Sequence, residues 1–113
     1  MMNKYGNKKT IVDGISFDSR LEAKRYRELK LLERAGIIKD LKLQPAFELI
    51  PSFKKNNKTY RKIEYKADFS YFDNELGKVI VEDTKGFKTE VYKLKKKLFE
   101  YVYKDLEIKE VEK

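Results

Sequence analysis

From Thr59 to Phe72 the chain alternates. Ile63, Tyr65, Ala67, Phe69 and Tyr71 fall on one side of an extended backbone, and Lys62, Glu64, Lys66, Asp68 and Ser70 on the other. A period of two sustained this long does not suit a helix and predicts a strand with one buried face. Asp73–Gly77 then reads as a turn and Lys78–Lys85 as a short Val/Ile-rich strand broken at Gly86, so the fold contains an antiparallel hairpin. With Asn74–Gly77 as a four-residue loop, Asp73 pairs with Lys78. The same register sets Asp68 opposite Asp83 and Lys66 opposite Lys85, all on one side of the sheet. A slip of one residue would send the two aspartates to opposite faces.

The other elements follow from capping and spacing. Ser19–Ala35 is predicted helical, with Ser19 as N-cap, Glu22 three residues on and Gly36 as the stop. Leu21, Tyr26, Leu29 and Leu32 form its apolar stripe, and Glu22 lies inside that arc. Leu41, Leu43, Phe47 and Leu49 suggest a strand interrupted near Pro45 and ended by Pro51; Lys54–Lys58, with Asn56-Asn57, reads as a basic turn. Thr89–Tyr103 is predicted to be a basic amphipathic helix with Val91, Leu94, Leu98 and Val102 as its stripe, and Leu106–Val111 a last strand. Residues 1–10 read as a flexible basic arm or an added strand, with a turn at Asp13-Gly14. The tyrosines at 60, 65, 71, 92, 101 and 103 are assigned mainly to the core. The expectation is one α/β domain over residues 1–113, in the order helix, three strands, helix, strand.

Composition narrows the chemistry. The 113 residues hold no Cys and no His, which removes disulfides, thiolate zinc sites and every mechanism that needs an imidazole. Carboxylates, Lys, Tyr and hydroxyls remain. Lys and Arg number 27 against 19 Asp and Glu, a net charge of +8, which suits a polyanion because cations at phosphates release condensed counterions. The short apolar runs fall well below a membrane span or a signal peptide, so a soluble cytoplasmic protein is expected. Two aspartates facing each other across a hairpin repel unless a cation offsets them, and Mg²⁺ takes such oxygen donors. A surface ion pair with Lys66 or Lys85 is the plainer account of Asp68. Capping is the favoured account of Glu22 from the residues alone, and does not exclude a swing toward a metal.

Taken together, Phe17-Asp18-Ser19-Arg20-Leu21-Glu22, Tyr65-Lys66-Ala67-Asp68-Phe69 and Val81-Glu82-Asp83-Thr84-Lys85-Gly86 resemble the PD-(D/E)XK nuclease superfamily. The similarity is greatest to small phage-encoded endonucleases of the endonuclease I, Holliday-junction-resolving type. The resemblance implies a restriction-endonuclease-like core, a mixed central sheet flanked by helices. It also implies Mg²⁺ or Mn²⁺ bound by Glu22, Asp68 and Asp83, with Lys85 completing the catalytic set for DNA phosphodiester hydrolysis. Ala67 stands where the motif usually has Pro. Glu82 adds an acid beside Asp83, although alternation favours Asp83 as the ligand, and Gln44 corresponds to a polar residue lining related sites. Lys66, Lys88, Lys93, Lys96 and Lys97 are the candidate DNA contacts. A homodimer is expected if the resolvase analogy holds, and the host cytoplasm if the chain is phage-encoded. The alternative is a non-catalytic DNA-binding or protein-interaction module on a nuclease-like fold.

Overall fold

The computed structural model describes residues 9–84 and 88–111. Among the described residues the elements run in the order β1 (Thr10–Val12), β2 (Ile15–Phe17), α1 (Arg20–Arg34), β3 (Ile38–Leu43), β4 (Ala46–Ile50), β5 (Phe53–Lys55), β6 (Lys58–Tyr60), β7 (Ile63–Lys66), β8 (Phe69–Asp73), β9 (Lys78–Thr84), α2 (Glu90–Val102) and β10 (Ile108–Val111). The chain is α/β, with a mixed four-stranded sheet in the order β10-β9-β8-β3. β10 runs parallel to β9; the other neighbours are antiparallel.

Local chemistry accounts for the boundaries. Ser19 Oγ accepts the Glu22 N–H at 3.1 Å and starts α1. Past its end, Gly36 takes φ +79°; its N–H bonds Glu33 O, and the Ile37 N–H bonds Leu32 O, closing a Schellman motif. Thr89 caps α2 through the Tyr92 N–H. The turn after β8 is held by Asp73 Oδ1, which accepts from Glu75 N and Leu76 N, and the register runs from Asp73↔Lys78 to Phe69↔Glu82 as the hairpin arithmetic requires. β1 and β2 pair across Asp13-Gly14; residues 1–8 of the expected N-terminal arm lie outside the described residues.

Because side chains alternate, the two faces of the sheet feed two cores. Ala23, Tyr26 and Leu29 of α1 pack with Phe17, Ile38, Phe69 and Tyr71. Tyr92 and Phe99 of α2 pack with Leu49, Tyr65, Ala67, Val81 and Ile108. The buried face of α2 is therefore set by two aromatics seven residues apart, whose large area outweighs the aliphatic stripe. Val91, Leu94 and Val102, expected to be core, are exposed, and Leu98 is half-buried. Tyr65, Tyr71 and Tyr92 are core as expected; Tyr60 and Tyr101 are exposed.

The expected single strand from Thr59 to Phe72 is three strands. Nested pairing explains it: β3 pairs with β8, β4 with β7 and β5 with β6, so residues 38–73 make one long antiparallel ribbon. The ribbon bends where Gln44, at φ +49° before Pro45, meets Ala67-Asp68; there Gln44 N–H donates to Asp68 O and Ala67 N–H to Pro45 O. The bend moves Tyr65 and Ala67 into the α2 core and Phe69 and Tyr71 into the α1 core, so the residues read as one face serve both. Ile63 stays 40% exposed.

Candidate functional site

Three carboxylates gather at the end of the sheet where the ribbon bends. Glu22 comes from the first turn of α1, where the Ser19 cap fixes its backbone and the stripe turns its side chain inward; only 5% of it is exposed. Burial, then the charges of Asp68, Asp18 and Asp83, push the Glu22 carboxyl from 4.5 up to about 7, partly offset by a backbone hydrogen bond at Asp18. Glu22 thus feels both aspartates picked out by the hairpin.

Asp68 is half-buried, and its Oδ2 accepts from both the N–H and the Oγ1 of Thr84 at 2.7 Å. It does not form the expected ladder pair with Asp83. The Asp68 N–H donates to Glu82 O, one residue out of the regular register, because the ribbon leaves the sheet at this point. For the same reason Lys66 lies in β7, paired with Ala46 of β4, and not opposite Lys85. Lys85 itself lies outside the described residues, as do Gly86 and Phe87.

Asp83 is buried at 2% exposure, and its Oδ2 accepts a hydrogen bond from the Tyr65 hydroxyl. Burial, then the bond to Asp83, drive the Tyr65 phenol well above its ordinary range, so it stays a donor. Charges at Asp83 and Asp68 both reach Tyr65 and Tyr92, which puts the two aspartates on the side of the molecule that α2 covers.

Glu82 has a different task. It is fully buried on the α1 side, where Arg25 Nε and Nη2 grip its two oxygens at 2.8 and 2.7 Å and the Tyr71 hydroxyl donates to Oε2. A fork of this geometry neutralises the charge and leaves Glu82 as a structural anchor between helix and sheet. Arg25 was missed in the sequence; Glu22-x-x-Arg25 on one helix face was the available signal. Gln44 meets Asp68 through its backbone, and its residue is exposed.

The candidate DNA-contacting lysines fall into two groups. Lys88 and Lys96 converge on Glu110, at 3.0 and 3.6 Å, and Lys93 pairs with Glu90 at 3.4 Å. Lys66 and Lys97 are exposed, and among the described residues neither forms an ion pair. Lys66 lines a cavity of about 750 Å³ together with Arg61, Lys62, Glu64 and Lys95.

Among the described residues, no group of three or more acidic side chains is close enough to enclose a metal ion by itself. No helix among them is long and apolar enough to cross a membrane. The fold and site define a mixed α/β protein with a half-sunken carboxylate cluster at one end of its sheet and a basic cavity beside the same ribbon. Over residues 2–113 the chain belongs to the family described as protein of unknown function, DUF1064. No curated protein and no solved structure matches it.

Proposed function

We propose that this protein is a metal-dependent DNA endonuclease that hydrolyses phosphodiester bonds where Glu22, Asp68 and Asp83 gather. The observation that carries the reading is geometric: Asp68 bonds Thr84, the residue next to the buried Asp83, and the buried Glu22 faces the same sheet end with its carboxyl raised. Burial and the charges of Asp68, Asp18 and Asp83 work against its ionisation, a tension that a cation would relieve. The donor set is oxygen only, which suits Mg²⁺ or Mn²⁺. Mg²⁺ usually takes one or two protein carboxylates and fills its shell with water and substrate phosphate, so a set in which the half-buried Asp68 stands beside the buried Asp83 fits it. Asp68 and Asp83 are the residues that would hold the ion, with Glu22 alongside.

When bound, Mg²⁺ supplies Lewis-acid stabilisation of the charge that builds on the phosphoryl group. Tyr65 and Thr84 orient the aspartates through the hydrogen bonds they donate. Glu22, whose carboxylate form the ion would favour, is suited to position the attacking water and accept its proton. Lys85 is assigned to stabilising the transition-state charge, through the resemblance of Asp83-Thr84-Lys85 to the D-x-K element. Cutting a four-way junction needs two symmetric incisions, so junction resolution goes with a homodimer, which sedimentation at working concentration tests.

The deciding experiment is cleavage of duplex, nicked and four-way-junction DNA, with Mg²⁺ and after chelation, by wild type and Asp83→Asn. The expected result is cleavage by wild type only with the metal, and loss of cleavage in the variant. Equal activity in both proteins, or activity surviving chelation, refutes the assignment.

A further inference from the structure

The outer part of the long ribbon has no assigned role. Residues 51–63 carry Lys54, Lys55, Lys58, Arg61 and Lys62 and no acid, and every one of them is exposed. With almost no burial to hold it, this segment is ordered by its own chemistry. Asn56 and Asn57 take φ +53° and +61°, the left-handed pair that a two-residue hairpin turn needs. Phe53 and Tyr60, directly paired across the strands, stack with centroids 4.9 Å apart and planes at 12°. Lys58 Nζ sits 5.2 Å above the Tyr60 ring. The result is a narrow two-stranded ribbon with cations at its tip.

We propose that the β5–β6 ribbon is a DNA-docking arm that enters the major groove of duplex DNA. The proposal rests on DNA being the ligand of the carboxylate site, and does not rest on hydrolysis. Lysines on a bare sheet edge also discourage aggregation; five cations and no acid within residues 51–63, on a chain of net charge +8, suit a polyanion as well. A two-stranded ribbon fits the major groove of B-form DNA and cannot enter the deep, narrow groove of A-form RNA. Lys54, Lys55 and Lys58 would meet phosphates at the groove walls while Asn56-Asn57 and the aromatic pair lie between them. Arg61, Lys66 and Lys95, with Lys62 paired to Glu64 at 3.2 Å, line the cavity lower on the arm and continue a net basic track toward Asp68. From Asp68 to the tip is roughly eleven residues of extended chain, at most about 36 Å. One turn of duplex spans ~34–36 Å, so the tip and the carboxylates lie within one turn of each other and can engage the same DNA.

The test is anisotropy of a labelled 20-base-pair DNA duplex in EDTA, where nothing is cut, over a salt series. Lys54→Ala/Lys55→Ala/Lys58→Ala is expected to weaken binding by about two orders of magnitude at 0.1 M salt and to flatten the log–log salt slope by about 2.7. Lys54→Arg/Lys55→Arg/Lys58→Arg should keep the wild-type affinity. Lys24→Ala/Lys104→Ala/Lys109→Ala, an equal charge change at exposed positions elsewhere, should cost less than about threefold. An RNA duplex of the same sequence should bind at least tenfold more weakly. Equal losses from the two alanine triples, or equal affinity for the RNA duplex, overturn the docking arm. Wild-type binding without Mg²⁺-dependent cleavage leaves the arm standing and refutes the nuclease; cleavage unimpaired in the ribbon triple does the reverse.

Discussion

Replacing Glu22 by Gln should stabilise the metal-free protein at alkaline pH while removing the proposed activity. In the folded chain the carboxyl titrates at about 7, against 4.5 for an ordinary glutamate. Between those values the folded state holds a proton that the unfolded state has lost, so the stability of the wild type falls as the pH rises. The cost grows from about 0.2 kcal/mol at pH 4 to about 3 kcal/mol at pH 8. Glutamine has no such titration, and the Ser19 cap, which uses the backbone N–H of residue 22, is kept. Urea unfolding in EDTA reads the difference: at a slope of ~1.5 kcal/mol/M the midpoints of Glu22→Gln and wild type should coincide near pH 4 and stand about 2 M apart at pH 8, the variant higher. Adding Mg²⁺ at pH 8 should raise the wild-type midpoint by more than that of the variant, which keeps Asp68 and Asp83 and loses only the charge of Glu22. A variant less stable than wild type at pH 8, or one whose pH dependence parallels it, would show that the carboxylate is stabilised where it lies and has no unmet need of a cation.

Three further perturbations probe other parts of the site. Arg25→Met leaves Glu82 buried without its fork and should cost about 3–5 kcal/mol in urea unfolding, whereas Arg25→Met/Glu82→Leu should recover most of it. Tyr65→Phe deletes the hydrogen bond to Asp83 and should cost about 1–3 kcal/mol while reducing cleavage; unchanged stability would mean that the hydroxyl is dispensable. Glu110 is held below its ordinary value first by the Tyr92 hydrogen bond and then by Lys88 and Lys96, so its contribution is present above the usual carboxylate range and fades as the pH falls through its lowered value. Glu110→Gln should therefore flatten the acid limb of the stability curve. It should also release Lys96 for phosphate, steepening the salt slope of the proposed DNA binding by up to about 0.9.

What was legible in the sequence is what depends on near neighbours. The Ser19 cap, the Gly36 stop, the Asp13-Gly14 turn and the Asp73–Lys78 register are decided within a few residues, and the structure keeps all four. The α2 face was misread by about one residue because the aliphatics and the aromatics of that helix offer competing stripes, and only packing against Phe47 and Tyr65 decides for Tyr92 and Phe99. The Arg25–Glu82 fork spans 57 residues, a separation at which no local pattern speaks. Asn56-Asn57 was read as a turn, but the turn alone does not say that it tips a ribbon reaching back to Ile38 and Asp73.

The same bend that defeats the strand reading shapes the carboxylate cluster. Had residues 59–72 continued straight, Asp68 would have been one more rung facing Asp83, its side chain committed to a flat sheet surface. With Gln44 in a left-handed conformation before Pro45, the partner strand turns, and Ala67-Asp68 must turn with it to keep the two bridging backbone bonds. Asp68 then leaves the ladder at the sheet end and reaches Thr84, while its charge is felt by Glu22 on one side and by Tyr65 and Tyr92 on the other. A proline at position 67 could not donate the bond that Ala67 gives to Pro45 O. Ala67→Pro should therefore loosen the bend and lower the Glu22 carboxyl only in part, by the share that the charge of Asp68 adds to the larger effect of burial. Titration of Glu22 by carboxyl-carbon NMR in the metal-free protein reads this directly, and an unshifted Glu22 in a folded Ala67→Pro variant would show that the bend does not gather these charges.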